Sequence, residues 1–210
     1  EGTINIGADI APLKIDEQHG TSLKIGSKPR DNQYGNHAIL REIGYVVENG
    51  TPVKFHTDLM IQENKTVNWY NQLWKDNSYH VCITSSSDIE DTILGFKLVG
   101  EAGFTTGTQI RVYYWDENSN DFVKSDTVVF GDNWISLDAI YYPDTGNVDY
   151  YVDNTKAGSG KAVIGENKVL ANVLLAAQTK HSTDATTICP GIYDNICLMP
   201  YDETTKPVFF

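Results

Sequence analysis

Residues 133–154 read NWISLDAIYYPDTGNVDYYVDN, two runs of alternating apolar and polar residues on either side of a turn. The apolar members repeat at a period of two: Ile135, Leu137, Ala139 and Tyr141, then Val148, Tyr150 and Val152. This period places side chains on one face of a β-strand. The residues between the runs, PDTGN at 143–147, all favour turns. The stretch therefore predicts a β-hairpin.

The same alternation recurs along the chain. Residues 53–62 alternate over their whole length, and the runs 108–115 and 121–130 flank the turn DENSN. Further strands are predicted within these ranges: 1–16, 21–25, 78–85, 96–99 and 191–199. Turn signals come about every 8–12 residues, a spacing typical of a β-sandwich. We therefore predict an all-β fold of two antiparallel sheets.

Two segments fit both a helix and a strand. Residues 37–47, HAILREIGYVV, fit a helix and a strand equally, so neither is preferred. Residues 168–178 are predicted to be a strand, because a lone helix in a β-rich chain would need a docking surface of its own.

Length and charge limit the organisation and the partners. The 210 residues suit one sandwich domain, predicted over 1–200 with a tail at 201–210. A net charge of −12 disfavours nucleic acid and anionic membranes as partners, and polyuronate or sulfated glycans to a lesser degree. This negative charge is compatible with neutral glycans or cations as partners. The sequence has no membrane-spanning stretch, so membrane insertion is not expected.

The cysteines Cys82, Cys189 and Cys197 do not form a disulfide framework. We expect buried thiols on strands. The alternative, a Cys189–Cys197 disulfide, requires Pro190 and Gly191 to reverse the chain.

Three short stretches carry a family resemblance. Trp134, the hydrophobic strand, the turn and YYVD at 150–153 resemble the central hairpin of laminin-G-like and concanavalin A-like jelly-roll domains, with Asn154 where that hairpin often has Gly. GTSLKI at 20–25 resembles an early strand of these domains, and YDNI at 193–196 resembles the closing strand, which pairs near the first. The resemblance implies a two-sheet jelly roll of the lectin/glucanase superfamily. That fold carries lectins, adhesion modules, glycoside hydrolases and polysaccharide lyases.

Two aromatic groups are candidate glycan-binding sites, because sugar rings stack on aromatic planes while amides bind hydroxyls. Trp69, Tyr70 and Trp74 lie among Asn and Gln residues, and their alternative role is to cap the sandwich edge. Arg111, Tyr113 and Trp115 are predicted to point outward if Ile110, Val112 and Tyr114 point into the core; burial at the sandwich rim is the alternative.

Carboxylates suggest a third site. Asp88, Glu90 and Asp91 are residue types that ligate Ca²⁺, but they lack a D-x-D-x-D-G pattern, so a solvated loop is the default and calcium the alternative. Asp153 and Asp194 are also considered as ligands, with turn or strand-end roles preferred.

Known catalytic motifs are missing from the sequence. There is no E-x-D-x-x-E strand, no G-x-S-x-G elbow and no paired zinc-binding histidine motif, and Gln109-Ile110 is followed by Arg111 instead of His. His56 and His80 lie on neighbouring predicted strands. A meeting of the two is considered, with a surface pair preferred over a site.

These observations predict a non-catalytic carbohydrate-binding or adhesion module with a glycan or polysaccharide partner. It is expected in a secreted or cell-surface microbial protein, flanked by other domains. The alternatives are a glycoside hydrolase or polysaccharide lyase of the same fold, and a protein-binding module.

Overall fold

The computed structural model describes residues 10–14, 21–25, 35–62, 77–100, 109–179 and 191–202. These residues form thirteen strands and one short 3₁₀ helix, Ile89–Asp91. The strands are β1 Ile10–Lys14, β2 Thr21–Ile25, β3 Gly35–Val46, β4 Val53–Ile61, β5 Asn77–Thr84, β6 Thr92–Gly100, β7 Gln109–Asp116, β8 Asp121–Phe130, β9 Trp134–Tyr142, β10 Asn147–Val152, β11 Thr155–Lys161, β12 Val169–Thr179 and β13 Gly191–Pro200.

The strands form two antiparallel sheets that pack face to face. The seven-stranded sheet has the order β1-β2-β13-β4-β9-β10-β11, and the six-stranded sheet has the order β3-β12-β5-β6-β7-β8. The predicted all-β sandwich is therefore confirmed. The closing strand β13 pairs with β2 on one side and with β4 on the other, as the YDNI resemblance implies.

The core lies between the sheets and consists of the alternating apolar residues. Phe55 and Leu137 of the seven-stranded sheet, and Val81 and Phe96 of the six-stranded sheet, are at most 1% exposed. Tyr150 crosses the space between the sheets, with its ring centroid 5.1 Å from that of Tyr114 and 5.2 Å from that of Phe96. Residues at alternate positions thus form the core between the layers. In the central strand β4 the outward-facing Lys54, His56 and Met60 are buried as well.

Both ambiguous segments are strands. Residues 37–47 fall almost entirely in β3, and 168–178 fall almost entirely in β12, as predicted for the latter. The two pair with each other, and β12 also pairs with β5. Cross-strand hydrogen bonds and burial of the β12 side chains therefore decide between the two periodicities.

The strand β11 was not predicted, because TKAGSGK contains few apolar residues and two glycines. It forms because Asp153 and Asn154 adopt positive φ values of 48° and 62°, which is the geometry of a tight hairpin turn. The glycines permit close packing between the sheets. A Cβ at Gly158 would lie 2.2 Å from the Tyr114 ring, and one at Gly160 would lie 2.6 Å from the backbone oxygen of Trp115.

Two cysteines lie within the described residues, and both are free thiols. Cys82 is buried in β5, and Cys197 is partly buried in β13. Burial raises the pKa of the Cys82 thiol to about 12. The expectation of strand-borne thiols is confirmed for these two residues, whereas Cys189 lies outside the described residues.

Candidate functional site

The outward face of the seven-stranded sheet carries a row of polar side chains across five strands. The strand register places Cys197 of β13 opposite His56 of β4, then Asp138 of β9, Tyr151 of β10 and Lys156 of β11. Directly paired residues of neighbouring strands project on the same side of a sheet. The row therefore brings a thiol, an imidazole, a carboxylate, a phenol and an ammonium group onto one surface.

Asp138 is the centre of a buried charged network within this row. Its Oδ1 lies 2.6 Å from His56 Nδ1, and its Oδ2 lies 2.8 Å from Lys54 Nζ. On the other side of the imidazole, His56 Nε2 lies 3.7 Å from Asp58 Oδ1. Lys54, His56 and Asp138 are 4–6% exposed. We call Lys54, His56, Asp58 and Asp138 the Asp138 network.

The electrostatics of the network keep Asp138 ionised. Burial alone would raise the pKa of this carboxyl group, but hydrogen bonds from His56 and Lys54 and the charge of Lys54 outweigh burial and hold the pKa below its ordinary value. An ionised Asp138 in turn fixes the ammonium of Lys54 and the imidazole ring of His56. The network is thus a rigid, charge-paired base for the surface around it.

A β-bulge positions a second group of oxygens beside the network. In β13 the register shifts between Asp194 and Cys197, and Asn195 has a φ of 50°. The Asn195 side chain donates to Asp58 Oδ2 at 2.7 Å, and Ser22 Oγ donates to Asp194 Oδ2 at 3.0 Å. The YDNI motif therefore has a physical role here, because its Asp and Asn form the bulge that holds Asp58.

The face becomes more accessible towards β10 and β11. Tyr151 and Asp149 of β10 are half-buried, whereas Lys156 and Ser159 of β11 are exposed. Lys156 Nζ lies 2.8 Å from Asp149 Oδ1, and Ser159 Oγ donates to the same oxygen at 2.6 Å. Burial alone would raise the pKa of Asp149, but the contacts with Lys156 and Ser159 hold this pKa below its ordinary value. We call these four residues the β10–β11 patch.

Three members of the row that have acid–base or nucleophilic chemistry, His56, Asp138 and Cys197, are constrained by contacts or burial. His56 and Asp138 are hydrogen-bonded to each other and almost inaccessible. Burial raises the pKa of Cys197, so the thiolate is disfavoured. The accessible groups are instead a phenol ring, a carboxylate, an ammonium group and a hydroxyl group. These groups can donate and accept hydrogen bonds with a polyhydroxylated ligand.

The sequence-predicted aromatic groups do not lie on this face. Trp69, Tyr70 and Trp74 lie outside the described residues, so their role stays a prediction. Arg111, Tyr113 and Trp115 lie on the outward face of the six-stranded sheet, and the prediction that Ile110 and Val112 point into the core is confirmed.

Packing on the outward face of the six-stranded sheet limits the accessibility of Trp115 and Arg111. Trp115 is 5% exposed, with its ring 5.3 Å from Phe122 in an edge contact. Arg111 Nη1 donates to the backbone oxygen of Asp126 at 3.0 Å. Tyr113 is half-buried. Tyr113 is therefore more accessible than Trp115, the other predicted stacking ring on this face.

The acidic stretch forms a capped turn. Asp88 Oδ1 accepts from the backbone nitrogen of Glu90 at 3.1 Å, and Asp91 accepts from the Ser86 hydroxyl. Across the described ranges, no three His, Cys, Asp or Glu side chains converge as metal ligands. These residues thus give the calcium hypothesis no support. Asp153 has a turn role, because its Oδ1 accepts from Ser136 N at 2.9 Å.

His56 and His80 do not meet, so the meeting considered from the sequence was wrong. The first lies in the seven-stranded sheet and the second in the six-stranded sheet, each facing outward. Strands that are adjacent in sequence pair only when they belong to one sheet, whereas β4 and β5 lie in opposite layers.

The Asp138 network was missed because its members are far apart in sequence. His56 and Asp138 are separated by 82 positions. One signal was present: Lys54, His56 and Asp58 occupy alternate positions of a predicted strand, so three charged or titratable residues share one face.

Comparisons with solved structures agree on this fold. A β-glucanase catalytic domain of family GH131 from Podospora anserina is similar, with a TM-score of 0.54 and 10% identity over 92% of this chain and 78% of that chain. An alginate lyase solved with an alginate trisaccharide has a TM-score of 0.51 and 10% identity, over 86% and 82% of the two chains. A sialidase has a TM-score of 0.51 and 11% identity over 92% of this chain, which spans 17% of the sialidase.

These likenesses show that the chain has a concanavalin A-like sandwich fold, as the hairpin resemblance implies. No protein-family model matches the sequence, and no curated protein matches it. Within the described residues, no helix is long and apolar enough to span a membrane.

Proposed function

We propose that this chain is a carbohydrate-binding module whose glycan ligand lies across the β10–β11 patch. The observation that carries the proposal is the half-buried Tyr151 ring, which lies on a sheet face beside ionic and hydroxyl groups. A sugar would stack on the ring, while Asp149, Lys156 and Ser159 would exchange hydrogen bonds with its hydroxyl groups.

The Asp138 network supports this role by making the face rigid. Tyr151 lies directly opposite Asp138 in the strand register, next to the charge-paired side chains of His56 and Lys54. A binding surface whose supporting side chains are already fixed loses less conformational entropy when the ligand binds. The network therefore acts as a support for the ring and need not touch the ligand.

Affinity electrophoresis against neutral polysaccharides, after a glycan array has identified a ligand, tests the proposal. Tyr151→Ala is expected to weaken binding about tenfold, because the stacking contact is lost. Phe130→Ala, which removes a 48% exposed ring of β8 in the other sheet, is the control and is expected to bind like the parent protein. Tyr113→Ala tests the second candidate face. No retention of the folded protein by any glycan, or loss of binding in Tyr113→Ala alone, would contradict the proposal.

The residues Trp69, Tyr70 and Trp74 remain proposed stacking residues of the same module. Trp69→Ala and Trp74→Ala in the same assay are expected to weaken binding, because each change removes a proposed stacking ring. Unchanged affinity in both variants, with the fold intact, would remove them from the site.

A glycoside hydrolase or polysaccharide lyase is the second candidate, favoured by one observation. Asp138 and Asp58 flank His56 on opposite ring nitrogens, and paired carboxylates are the usual machinery of glycoside hydrolysis. Prolonged incubation with polysaccharides, followed by measurement of new reducing ends and unsaturated products, tests this candidate. The binding proposal expects no turnover; turnover abolished by Asp58→Asn would favour the enzyme.

We also propose a location outside the cell or on its surface, within a longer polypeptide. The proposed glycan-binding role supports this location, and the likeness to a sialidase of which the chain spans 17% supports the longer polypeptide. Fractionation of the source cells with an antibody to this domain would test both points through the position and mass of the detected band.

A further inference from the structure

The outward face of the six-stranded sheet carries cations on three neighbouring strands. Lys97 of β6 lies directly opposite Tyr113 of β7, and Tyr113 lies directly opposite Lys124 of β8. Arg111 lies two positions before Tyr113 in β7, so its side chain projects on the same side. Paired strands are about 4.8 Å apart, which separates the backbones of the two lysines by about 10 Å. We call Lys97, Arg111, Tyr113 and Lys124 the β6–β8 row.

The charge of the β6–β8 row is opposite to that of the whole chain. Among the described outward side chains that the register pairs on β6, β7 and β8, three are cationic and none is acidic. The exposed Asp126 lies in the bulge of β8, outside these pairs. The net charge of −12 disfavours an anionic partner for the chain as a whole, but cations clustered on one face attract anions locally.

Contacts with uncharged groups hold two of these cations in place. Lys97 Nζ lies 5.8 Å from the centroid of the Phe122 ring, and Arg111 Nη1 donates to the backbone oxygen of Asp126 at 3.0 Å. An aromatic face and a carbonyl oxygen position a cation without cancelling its charge. Because a guanidinium group has five N–H donors in a planar fork, it can hold a backbone oxygen and a carboxylate at the same time. The row is therefore preorganised for an anion.

Tyr113 provides a recognition element of a different kind. Its side chain is half-buried, whereas the neighbouring Trp115 is 5% exposed, so the Tyr113 ring retains a surface that a ligand can reach. A sugar ring stacks on an aromatic plane of this kind. Because Lys97 and Lys124 lie on either side of Tyr113, a ligand that lies across the strands meets a cation, an aromatic plane and a second cation in turn.

We propose that the β6–β8 row binds an acidic polysaccharide through the carboxylate groups of its uronate residues. The anion class follows from the three cations, whereas the polysaccharide class rests on the proposed carbohydrate-binding function. A polyuronate alternates sugar rings with carboxylates, which matches the alternation of aromatic and ammonium groups in the row. Nucleic acid fits less well, because its affinity comes from many phosphate contacts. The row lies on the sheet opposite to the β10–β11 patch and is therefore a second site with its own ligand class.

Calorimetry with two forms of one oligosaccharide tests the proposal. The galacturonate hexamer is expected to bind about tenfold more tightly than its methyl ester at low salt, because esterification removes the negative charges, and high salt should shrink this preference. Lys97→Gln combined with Lys124→Gln should remove most of the preference, with folding checked by circular dichroism. Equal affinity for the acid and the ester, or an unchanged preference in this double variant, would overturn the proposal.

A matched double variant controls for the loss of charge. Lys161 is half-buried like Lys97, and Lys168 is exposed like Lys124. Lys161→Gln combined with Lys168→Gln therefore removes the same charge from β11 and from the residue before β12, and it should leave the preference unchanged. An equal loss of preference in both double variants would show that net charge, and not the β6–β8 row, attracts the acid, and would overturn the proposal.

Further arms separate this proposal from the proposed function and from other anions. Tyr113→Ala should weaken binding of the galacturonate hexamer and leave neutral glycan binding unchanged, whereas Tyr151→Ala should do the reverse, so the two failures are distinguishable. Loss of hexamer binding in Tyr151→Ala alone would overturn the proposal. Tighter binding of a single-stranded oligonucleotide with the same number of charges would also overturn it, because the partner would then be a nucleic acid.

Discussion

The two outward faces of the sandwich each hold a buried histidine, but the surroundings of the two rings differ. His56, 4% exposed, lies on β4 between the carboxylates of Asp138 and Asp58. His80, 3% exposed, lies on β5 with Nε2 3.0 Å from Ser78 Oγ and its ring centroid 5.7 Å from that of Phe122. The His56 ring lies between two carboxylates, whereas the His80 ring contacts a hydroxyl group and an aromatic edge.

The difference shows that burial alone does not indicate a site. A histidine packed against a ring and a hydroxyl group stabilises a face, whereas one between two carboxylates also fixes charges that organise the neighbouring surface. This contrast is why the seven-stranded sheet carries the proposed glycan site. Four experiments would break or sharpen it, beginning with the largest expected effect.

Removing the charge of Asp138 should give the largest loss in the free energy of unfolding. Asp138→Asn leaves Lys54 without its ionic partner in a buried site, so we expect the free energy of unfolding in urea to fall by about 3–5 kcal/mol. Asp149→Asn is the matched control, because its partner Lys156 has a side chain that is 48% exposed. It should cost about 1 kcal/mol or less. Equal losses would show that the Asp138 network is not special.

Exchanging each histidine for phenylalanine should separate the two faces. His56→Phe leaves the Asp138 carboxylate short of a hydrogen bond, and we expect a loss of about 2–3 kcal/mol in the free energy of unfolding. His80→Phe keeps a ring against Phe122 and loses the contact with Ser78 Oγ, so about 1 kcal/mol is expected. A larger loss for His80→Phe would reverse the comparison.

Acid should weaken the seven-stranded face through its carboxylates. Because the pKa values of Asp138 and Asp149 are lower in the folded chain than in the unfolded one, their contacts stabilise the fold above the unfolded value of about 3.9. This contribution is lost as pH falls through the folded values. The free energy of unfolding, measured from about pH 6 to pH 2, should fall less steeply in Asp138→Asn. Parallel curves would contradict this prediction.

The smallest effect concerns the two thiols, one beneath each outward face. In a Cys189→Ser background, a thiol reagent should modify Cys197 slowly and leave Cys82 unmodified, because Cys82 is fully buried and its pKa is raised to about 12. Both thiols should react after unfolding in urea. Mass spectrometry of the labelled peptides gives the order, and faster labelling of Cys82 in the folded protein would contradict it.

The sequence alone predicted the two layers of the sandwich but not the candidate functional site. Alternation in 53–62 and in the hairpin at 133–154 predicted which side chains enter the core, because a strand has only two faces. It did not predict β11, whose residues pair because of the preceding turn. Nor did it place Asp138 beside His56, since strand order and register depend on the packing of the whole sandwich.

Gly158 and Gly160 limit how this domain can vary. At both positions the opposite sheet occupies the space of a methyl group, so even alanine would force the layers apart along β11. The β10–β11 patch belongs to the same hairpin, with Ser159 between these glycines and Lys156 two positions before Gly158. The preference of the proposed glycan site can therefore be redesigned at Lys156 and Ser159, while the positions that face Tyr114 and Trp115 must be left as they are.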